Sequence, residues 1–157
     1  MTSIPQRPRF PVTLQILAVL GAMLALSSAR SSEVSWFPGT WEEARTVARV
    51  TRRPLMLEFY EVGCTHCARL DSALATAEAS REAESFLAVR VELASAVGQE
   101  LAKSLRVEGT PNIVFFDADG IETDRFDFVE KEPTSADLRD RLARFEAADR
   151  ATRAAKR

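Results

Sequence analysis

The chain has 157 residues, of which 46% are apolar and 28% charged, a balance typical of a globular protein with one hydrophobic core. Its formal net charge of −2 and its scattered basic residues offer no positive surface to a phosphate backbone, so we exclude nucleic acid as a partner. The composition is not that of a disordered chain, and the sequence shows no internal repeat and no second domain.

Residues 1–29 have the pattern of a targeting segment. Arg7 and Arg9 precede an apolar run over 12–26, and small residues follow it as far as Ala29. This pattern predicts a cleaved signal peptide and export to the periplasm. A retained anchor in the inner membrane is the alternative, because residues 10–29 reach the roughly 20 residues that a membrane span needs. In either case a thiol pair in that oxidising compartment needs a redox partner to stay reduced.

The elements before the cysteines are a helix and a strand. After a polar linker over 30–39, the run Thr40-Trp41-Glu42-Glu43 has the form of a capping box, and apolar residues at helical spacing predict a helix over 41–51. Residues 55–60 are an apolar run suited to a strand buried on both faces, and Glu58 is its one charge.

The later elements complete a mixed sheet. The sequence predicts helices over 64–79 and 99–105 and strands over 87–93 and 113–116. The turn at 117–120 predicts a hairpin with a strand over 121–129. Thr134 or Ser135 is expected to cap a last helix that runs from Ala136 past Phe145. We predict one domain over 40–147 and a polar tail over 148–157 that frays.

Cys64 and Cys67 are the only cysteines of the chain, and His66, the only histidine, lies between them. The motif follows a predicted strand and begins a predicted helix, which indicates a redox-active pair. At a helix N-terminus, unpaired N–H groups and the helix dipole favour the thiolate of Cys64 over the thiol. Cys67, one turn later, is within reach to form a disulfide with it.

Two other interpretations of this motif are open. A purely structural disulfide here would restrict the unfolded chain by about 2 kcal/mol, against roughly 4 to 5 kcal/mol for a loop of a hundred residues. A zinc or copper site could use Cys64, His66 and Cys67, but a closed structural zinc site normally needs four Cys or His ligands, more than the chain contains. We therefore expect no metal and no other cofactor.

The order of these elements, together with two motifs, resembles the thioredoxin superfamily. The motifs are the CxxC in PLMLEFYEVGCTHC and the Thr-Pro in VEGTPNIVFFDADG. They are most similar to exported or membrane-tethered thioredoxin-like domains, such as the C-terminal domain of the periplasmic reductase DsbD. The resemblance covers residues 36–145 and implies an α/β thioredoxin fold, with a central mixed four-stranded sheet flanked by helices and a helical extension at the N-terminus.

The resemblance also implies roles for five residues. Cys64 would be the attacking cysteine and Cys67 the resolving one. Pro111 would be a cis-proline against the redox pair, and Thr110 would offer backbone groups to a substrate strand. Glu58 occupies the position of the family's buried acid, although its residue type also fits an exposed position at a sheet edge.

The residues around the cysteines give mixed indications. His66 could stabilise the Cys64 thiolate and so make the disulfide more oxidising, or it could be an exposed residue without a role. Its CxHC pattern resembles disulfide-forming oxidants and isomerases, whereas the surrounding motifs resemble reductases. Gly63 stands where many family members carry Trp, which leaves the substrate preference open. Trp36 and Trp41 are expected to be packing residues.

The sequence therefore predicts an exported thiol–disulfide oxidoreductase, a monomer that exchanges disulfides with protein substrates and works with a redox partner protein. A non-catalytic adaptor with the same fold and a copper-delivery protein of oxidase assembly are the alternatives. The direction of the reaction depends on the partners and the reduction potential, so the sequence does not determine it.

Overall fold

The computed structural model describes residues 33–127 and 134–155. The predicted signal peptide or anchor over 1–29 lies outside the described residues, as do Phe128 and Val129 at the end of the last predicted strand. The described part of the chain contains helices α1 (Trp41–Thr51), α2 (Thr65–Leu74), α3 (Ala77–Ala83), α4 (Ala96–Leu105) and α5 (Ser135–Ala155), and strands β1 (Leu55–Tyr60), β2 (Leu87–Glu92), β3 (Asn112–Phe116) and β4 (Glu122–Asp127). Within these residues, no helix has both the length and the apolar character needed to span a membrane.

The strands form one mixed sheet in the order β2-β1-β3-β4. β1 runs parallel to β2 and antiparallel to β3, and β3 pairs with β4 as an antiparallel hairpin. The predicted four-stranded mixed sheet is thereby confirmed. β1 is a central strand with all its residues buried except the half-buried Tyr60, as its apolar sequence predicts.

Alternation along β1 divides its side chains between two hydrophobic clusters, one on each face of the sheet. Leu55, Leu57 and Phe59 belong to the cluster that α1 and α4 cover. Met56 belongs to the other cluster, which α2, α3 and α5 cover. Glu58 is two positions after Met56, so its side chain lies on the same face of the sheet, beneath α2, which carries Cys67.

Side-chain caps determine where helices begin, as α1, α4 and α5 show. The predicted capping box of α1 is confirmed, since Thr40 and Glu43 bond reciprocally. Thr134 caps α5 by accepting a hydrogen bond from the backbone N–H of Asp137 at 3.2 Å. α4 begins at Ala96, before the predicted start, because Ser95 caps it. Gly98 is required there, since a Cβ atom would lie 1.9 Å from the carbonyl oxygen of Glu92.

The prediction of one continuous helix over 64–79 was wrong. The structure divides this segment into α2 and α3, with Ala75 ending the first and Thr76 capping the second. The Thr76 hydroxyl accepts from the backbone N–H of Ala79 and donates to the carbonyl of Ala73. A threonine that bonds to the backbone in this way competes with helix continuation, which is why the chain restarts at this point.

Secondary structure extends into the predicted linker and the predicted tail. α5 continues to Ala155, into the predicted polar tail. In the last turns of α5, Asp149 is 9% exposed and Arg150 forms an ion pair with Glu146 one turn earlier. Such a pair stabilises a helix. Within the predicted linker, Trp36 forms a bridge with Ala88 of β2 and Phe37 packs against the α1 side of the sheet. The predicted packing role of Trp36 is thereby confirmed.

Candidate active site

The two cysteines form a disulfide at the N-terminus of α2. β1 ends at Tyr60, and Gly63 turns the chain with a positive φ of 79°, a conformation that favours glycine. Cys64 is the N-cap of α2, and its Sγ accepts a hydrogen bond from the backbone N–H of Cys67 at 3.1 Å. The Cα atoms of the pair are 5.3 Å apart. This N–H would also stabilise a thiolate on Cys64 in the reduced protein.

The two sulfur atoms differ in accessibility. Cys64 is partly exposed, whereas Cys67 is only 4% exposed beneath the first turn of α2. Beside Cys64, the side chain of Val62 is 81% exposed, and Gly63 adds no side chain where many family members have a Trp. A large partner molecule can therefore approach Cys64 more easily than Cys67.

The peptide between Thr110 and Pro111 is cis and lies against the disulfide. The predicted cis-proline is confirmed. Cys64 Sγ is 4.0 Å from the carbonyl oxygen of Thr110 and 3.8 Å from its Oγ1. Pro111 is buried, whereas Thr110 is partly exposed. The structure thus brings the Thr-Pro motif and Cys64 together, although 46 positions separate Thr110 from Cys64 along the chain.

Glu61, which sequence analysis missed, joins this group. Its Oε2 accepts a hydrogen bond from the Thr110 hydroxyl at 2.7 Å. A hydroxyl has one hydrogen to donate, so Glu61 and Cys64 Sγ compete for it. The only sequence signal for this contact is the short distance along the chain from Glu61 to Cys64.

This arrangement predicts opposite effects for two substitutions. Thr110→Val removes the hydroxyl and should slow alkylation of Cys64 in the reduced protein near pH 7 by about threefold, the equivalent of one weak hydrogen bond. Glu61→Gln removes a negative charge and weakens the hydrogen bond that the Thr110 hydroxyl donates to residue 61. The hydroxyl is then freer to donate to Cys64, so alkylation of Cys64 should accelerate. Rates are measured with iodoacetamide and the modified site is identified by mass spectrometry. Glu108→Gln, an exposed acid in the loop before Thr110, is the control. Changes in the same direction in both variants would rule out the shared hydroxyl.

Glu58 is fully buried, so its alternative interpretation as an exposed edge residue was wrong. It pairs with Arg90 through two hydrogen bonds, from Nε to Oε2 at 3.1 Å and from Nη2 to Oε1 at 2.9 Å. The same Nη2 also donates to Oδ1 of Asp71 at 2.7 Å. Burial raises the pKa of Glu58 from 4.5 to about 7, Arg90 opposes this shift, and Asp71 adds to it. Glu58 is therefore poised to exchange a proton near neutral pH.

Arg90 was not predicted as a site residue. The alternating pattern of β2 indicated a solvent-facing position, yet its side chain is only 26% exposed. In the parallel pairing of β1 with β2, Arg90 lies directly opposite Glu58. A buried charge needs a partner, so the register of the two strands is the signal that could have identified it.

The predicted residues do not all converge on one point. Cys64, Thr110 and the cis peptide lie together. Cys67 and Asp71 are one turn apart on α2, and Arg90 links Asp71 to Glu58, which places the acid under the same helix. His66 is exposed in the first turn of α2.

A CxxC disulfide at a helix N-terminus, beside a cis-proline in this sheet, defines the thioredoxin-like class of oxidoreductases. A model of the thioredoxin-like domain family matches residues 41–127, and the chain belongs to that family. The protein is thus a thioredoxin-like oxidoreductase with a redox-active CxxC pair.

Solved structures with the same fold include enzymes of disulfide exchange. A thioredoxin from Thermus thermophilus is 27% identical, with a TM-score of 0.62, and the match covers 72% of this chain and 87% of that one. A disulphide isomerase from Xylella fastidiosa Temecula1 is 19% identical, with a TM-score of 0.56 over 71% of this chain and 96% of that one. The DsbH oxidoreductase is 22% identical, with a TM-score of 0.58, and the match covers 75% of this chain and 85% of that one. No match was found among curated proteins.

Proposed function

We propose that the protein is an exported thiol–disulfide oxidoreductase that exchanges disulfides with protein substrates. The observation that carries this proposal is the asymmetry of the disulfide: Cys64 is partly exposed at a helix N-terminus, and Cys67 is buried one turn later. A nucleophilic thiol needs access to its target, whereas a resolving thiol needs only to reach its neighbour.

In the reducing direction, the Cys64 thiolate attacks one sulfur of a substrate disulfide. The substrate S–S bond breaks, one substrate sulfur leaves as a thiolate, and a mixed disulfide with Cys64 forms. Cys67 then loses its proton and attacks Cys64 Sγ, which releases the second substrate thiol and closes the Cys64–Cys67 disulfide. The substrate gains two electrons, and a redox partner protein must return two electrons to the enzyme. The reverse sequence delivers a disulfide to a substrate.

Three further groups have roles in this proposal. The backbone of Thr110 pairs with an extended substrate strand, and its carbonyl oxygen 4.0 Å from Cys64 Sγ supports this role. Pro111 fixes that backbone against the disulfide. Glu58 accepts the proton that Cys67 releases, because its pKa of about 7 suits a proton acceptor at neutral pH.

Reduction of insulin by dithiothreitol, followed by turbidity, tests this function. The protein should accelerate precipitation, and the double variant Cys64→Ser, Cys67→Ser should give the uncatalysed rate. An oxidative refolding assay tests the reverse direction. If the parent protein matches the double variant in both assays, disulfide exchange is refuted. The adaptor and the copper-delivery protein then remain, and retention of copper by the purified protein distinguishes between them.

Export is supported by the basic residues, apolar run and small-residue exit of residues 1–29. Fractionation of cells that produce the full chain, followed by N-terminal sequencing, tests it. Recovery of a chain that begins after Ala29 in the periplasmic fraction would establish a cleaved signal peptide. Recovery of the intact chain in the membrane fraction would establish an anchor, and recovery from the cytoplasm would refute export.

We expect His66 to influence the reduction potential of the Cys64–Cys67 pair. It is exposed in the first turn of α2, where an imidazole can favour the Cys64 thiolate and so stabilise the reduced form. His66→Pro should therefore make the reduction potential more negative by tens of millivolts, where ~30 mV corresponds to about 1.4 kcal/mol for two electrons. Equilibration with glutathione buffers measures the potential. A value equal to that of the parent would remove His66 from the mechanism.

A further inference from the structure

The guanidinium group of Arg90 lies between two aromatic rings. Its Cζ is 4.8 Å from the ring centroid of Trp36 and 4.7 Å from that of Tyr60. Tyr60 ends β1, whereas Trp36 comes from the segment before α1. That segment is fixed to the sheet by the bridge between Trp36 and Ala88 and by a 2.7 Å hydrogen bond from the Phe37 N–H to the carbonyl of Ala88.

The same guanidinium holds the buried acid. Its Nε and Nη2 donate the two hydrogen bonds to Glu58, Nη2 donates a third to Asp71, and its Cζ lies over the two rings. A guanidinium bound bidentately to a carboxylate depends on the orientation of its plane, and aromatic rings within cation–π distance restrict that orientation. The rings are therefore placed to determine how well Arg90 pairs with Glu58.

A cavity adjoins this ion pair. A cavity of about 480 Å³ is lined in part by Trp36, Asp71, Ser72 and Arg90. The side chain of Arg90 is 26% exposed, while that of Glu58 is 0% exposed. Trp36 thus lies by the Arg90 guanidinium at the wall of the cavity, next to a carboxylate that solvent does not reach.

We infer that Trp36 is a positioning residue of the disulfide exchange reaction, one that acts on Glu58 through Arg90. This inference rests on the proposed function for its catalytic meaning, because Glu58 matters to the reaction as the proton acceptor of Cys67. The structural coupling itself, from Trp36 to Arg90 to Glu58, is independent of any substrate.

The groups around Glu58 determine whether its pKa rises or falls when Arg90 is held less firmly. Arg90 on β2 favours the carboxylate, and Asp71 on α2 disfavours it. Cys67 lies one turn before Asp71, and Tyr60 follows Glu58 by two positions on β1. β3 places Ile113 opposite Glu58, α5 contributes Leu138 and Leu142 to this face, and Glu33 lines the cavity next to Trp36. Arg90 is thus the cation that opposes burial, so a looser Arg90 leaves Glu58 protonated to higher pH.

Titration of Glu58 in the oxidised protein tests the inference. Its side-chain carboxyl carbon is followed by NMR in selectively labelled protein, with Glu58→Gln used to assign the signal. Trp36→Leu retains an apolar side chain but no ring face, and it should raise the pKa of Glu58 by about half a pH unit, the size expected for one partly exposed cation–π contact. Trp36→Phe retains a ring and should titrate close to the parent.

Phe37→Leu is the matched control, because Phe37 is the neighbouring half-buried aromatic residue and packs against the cluster on the opposite face. An unchanged or lowered pKa in Trp36→Leu would overturn the inference, as would an equal shift in Phe37→Leu. If Trp36→Leu does not fold, Tyr60→Leu removes the other ring and should shift the titration in the same direction. The titration needs no turnover, so inactivity of the parent with insulin would refute the proposed function and leave this result intact.

Discussion

Replacing Cys67 with serine should end turnover and leave the protein covalently attached to its substrates. Cys64 is partly exposed and can attack a substrate disulfide, but the mixed disulfide then lacks the thiol that breaks it. We expect the Cys67→Ser variant to leave insulin reduction at the uncatalysed rate. On non-reducing gels it should migrate as covalent adducts, and dithiothreitol should cleave them by reducing the mixed disulfide. Mass spectrometry of these adducts identifies the partner proteins and the attached cysteine.

Cys64→Ser is the control for this trapping experiment. It should also be inactive, but it should form few adducts, because the remaining thiol of Cys67 is only 4% exposed. Accumulation of adducts on Cys67 in this variant, with none on Cys64 in Cys67→Ser, would show that the two roles are reversed. The double variant identifies proteins that associate without a disulfide.

The parts of the site that were predictable are those fixed by local sequence. Cys64 and Cys67 lie at a strand-to-helix junction because a buried apolar run ends just before them and helix-forming residues follow. Thr110 and Pro111 were assigned by their resemblance to a known motif, and the structure places them beside Cys64 as that resemblance implies. The same holds for the burial of Glu58, whose residue type alone would indicate an exposed position.

The parts that were missed depend on contacts between distant segments. Arg90 has the sequence pattern of an exposed strand residue, and only the parallel register with β1 places it opposite Glu58. Trp36 lies in a segment with no periodic pattern, so its position over Arg90 follows from the bridge to β2 and could not be derived from local propensity. The break between α2 and α3 depends on one Thr76 side chain in a segment otherwise rich in helix formers.

The buried acid makes the stability of the fold dependent on pH. Burial raises the pKa of Glu58 from 4.5 to about 7 in the folded protein, while the unfolded chain retains the ordinary value. Between these two pH values the folded state keeps a proton that the unfolded state has lost. The contribution of Glu58 to the free energy of unfolding is therefore largest below about pH 4.5 and decreases as the pH rises to about 7.

Glu58→Gln should remove this dependence, because glutamine does not titrate. The free energy of unfolding of the variant, relative to the parent, should be higher at about pH 8 than at about pH 4 by roughly 3 kcal/mol, at about 1.4 kcal/mol for each pKa unit. Urea unfolding of the oxidised proteins at several pH values measures the difference. Glu92→Gln, which removes a half-buried acid on the neighbouring strand β2, is the control for loss of a carboxylate from the sheet. A difference for Glu58→Gln that does not vary with pH would show that Glu58 is not protonated in the folded protein at neutral pH.

The same variant separates the role of Glu58 in the reaction from its role in stability. When reduced protein reacts with an aromatic disulfide that releases a coloured thiolate, the first thiolate reports attack by Cys64 and the second reports resolution by Cys67. Glu58→Gln should slow the second phase by about tenfold or more, since a positioned base is lost, and leave the first nearly unchanged. In the parent, the rate of the second phase should rise with pH as Glu58 ionises, whereas the variant should lack this inflection. Equal second-phase rates in parent and variant from about pH 6 to 8 would leave Glu58 with a purely structural role beside Arg90.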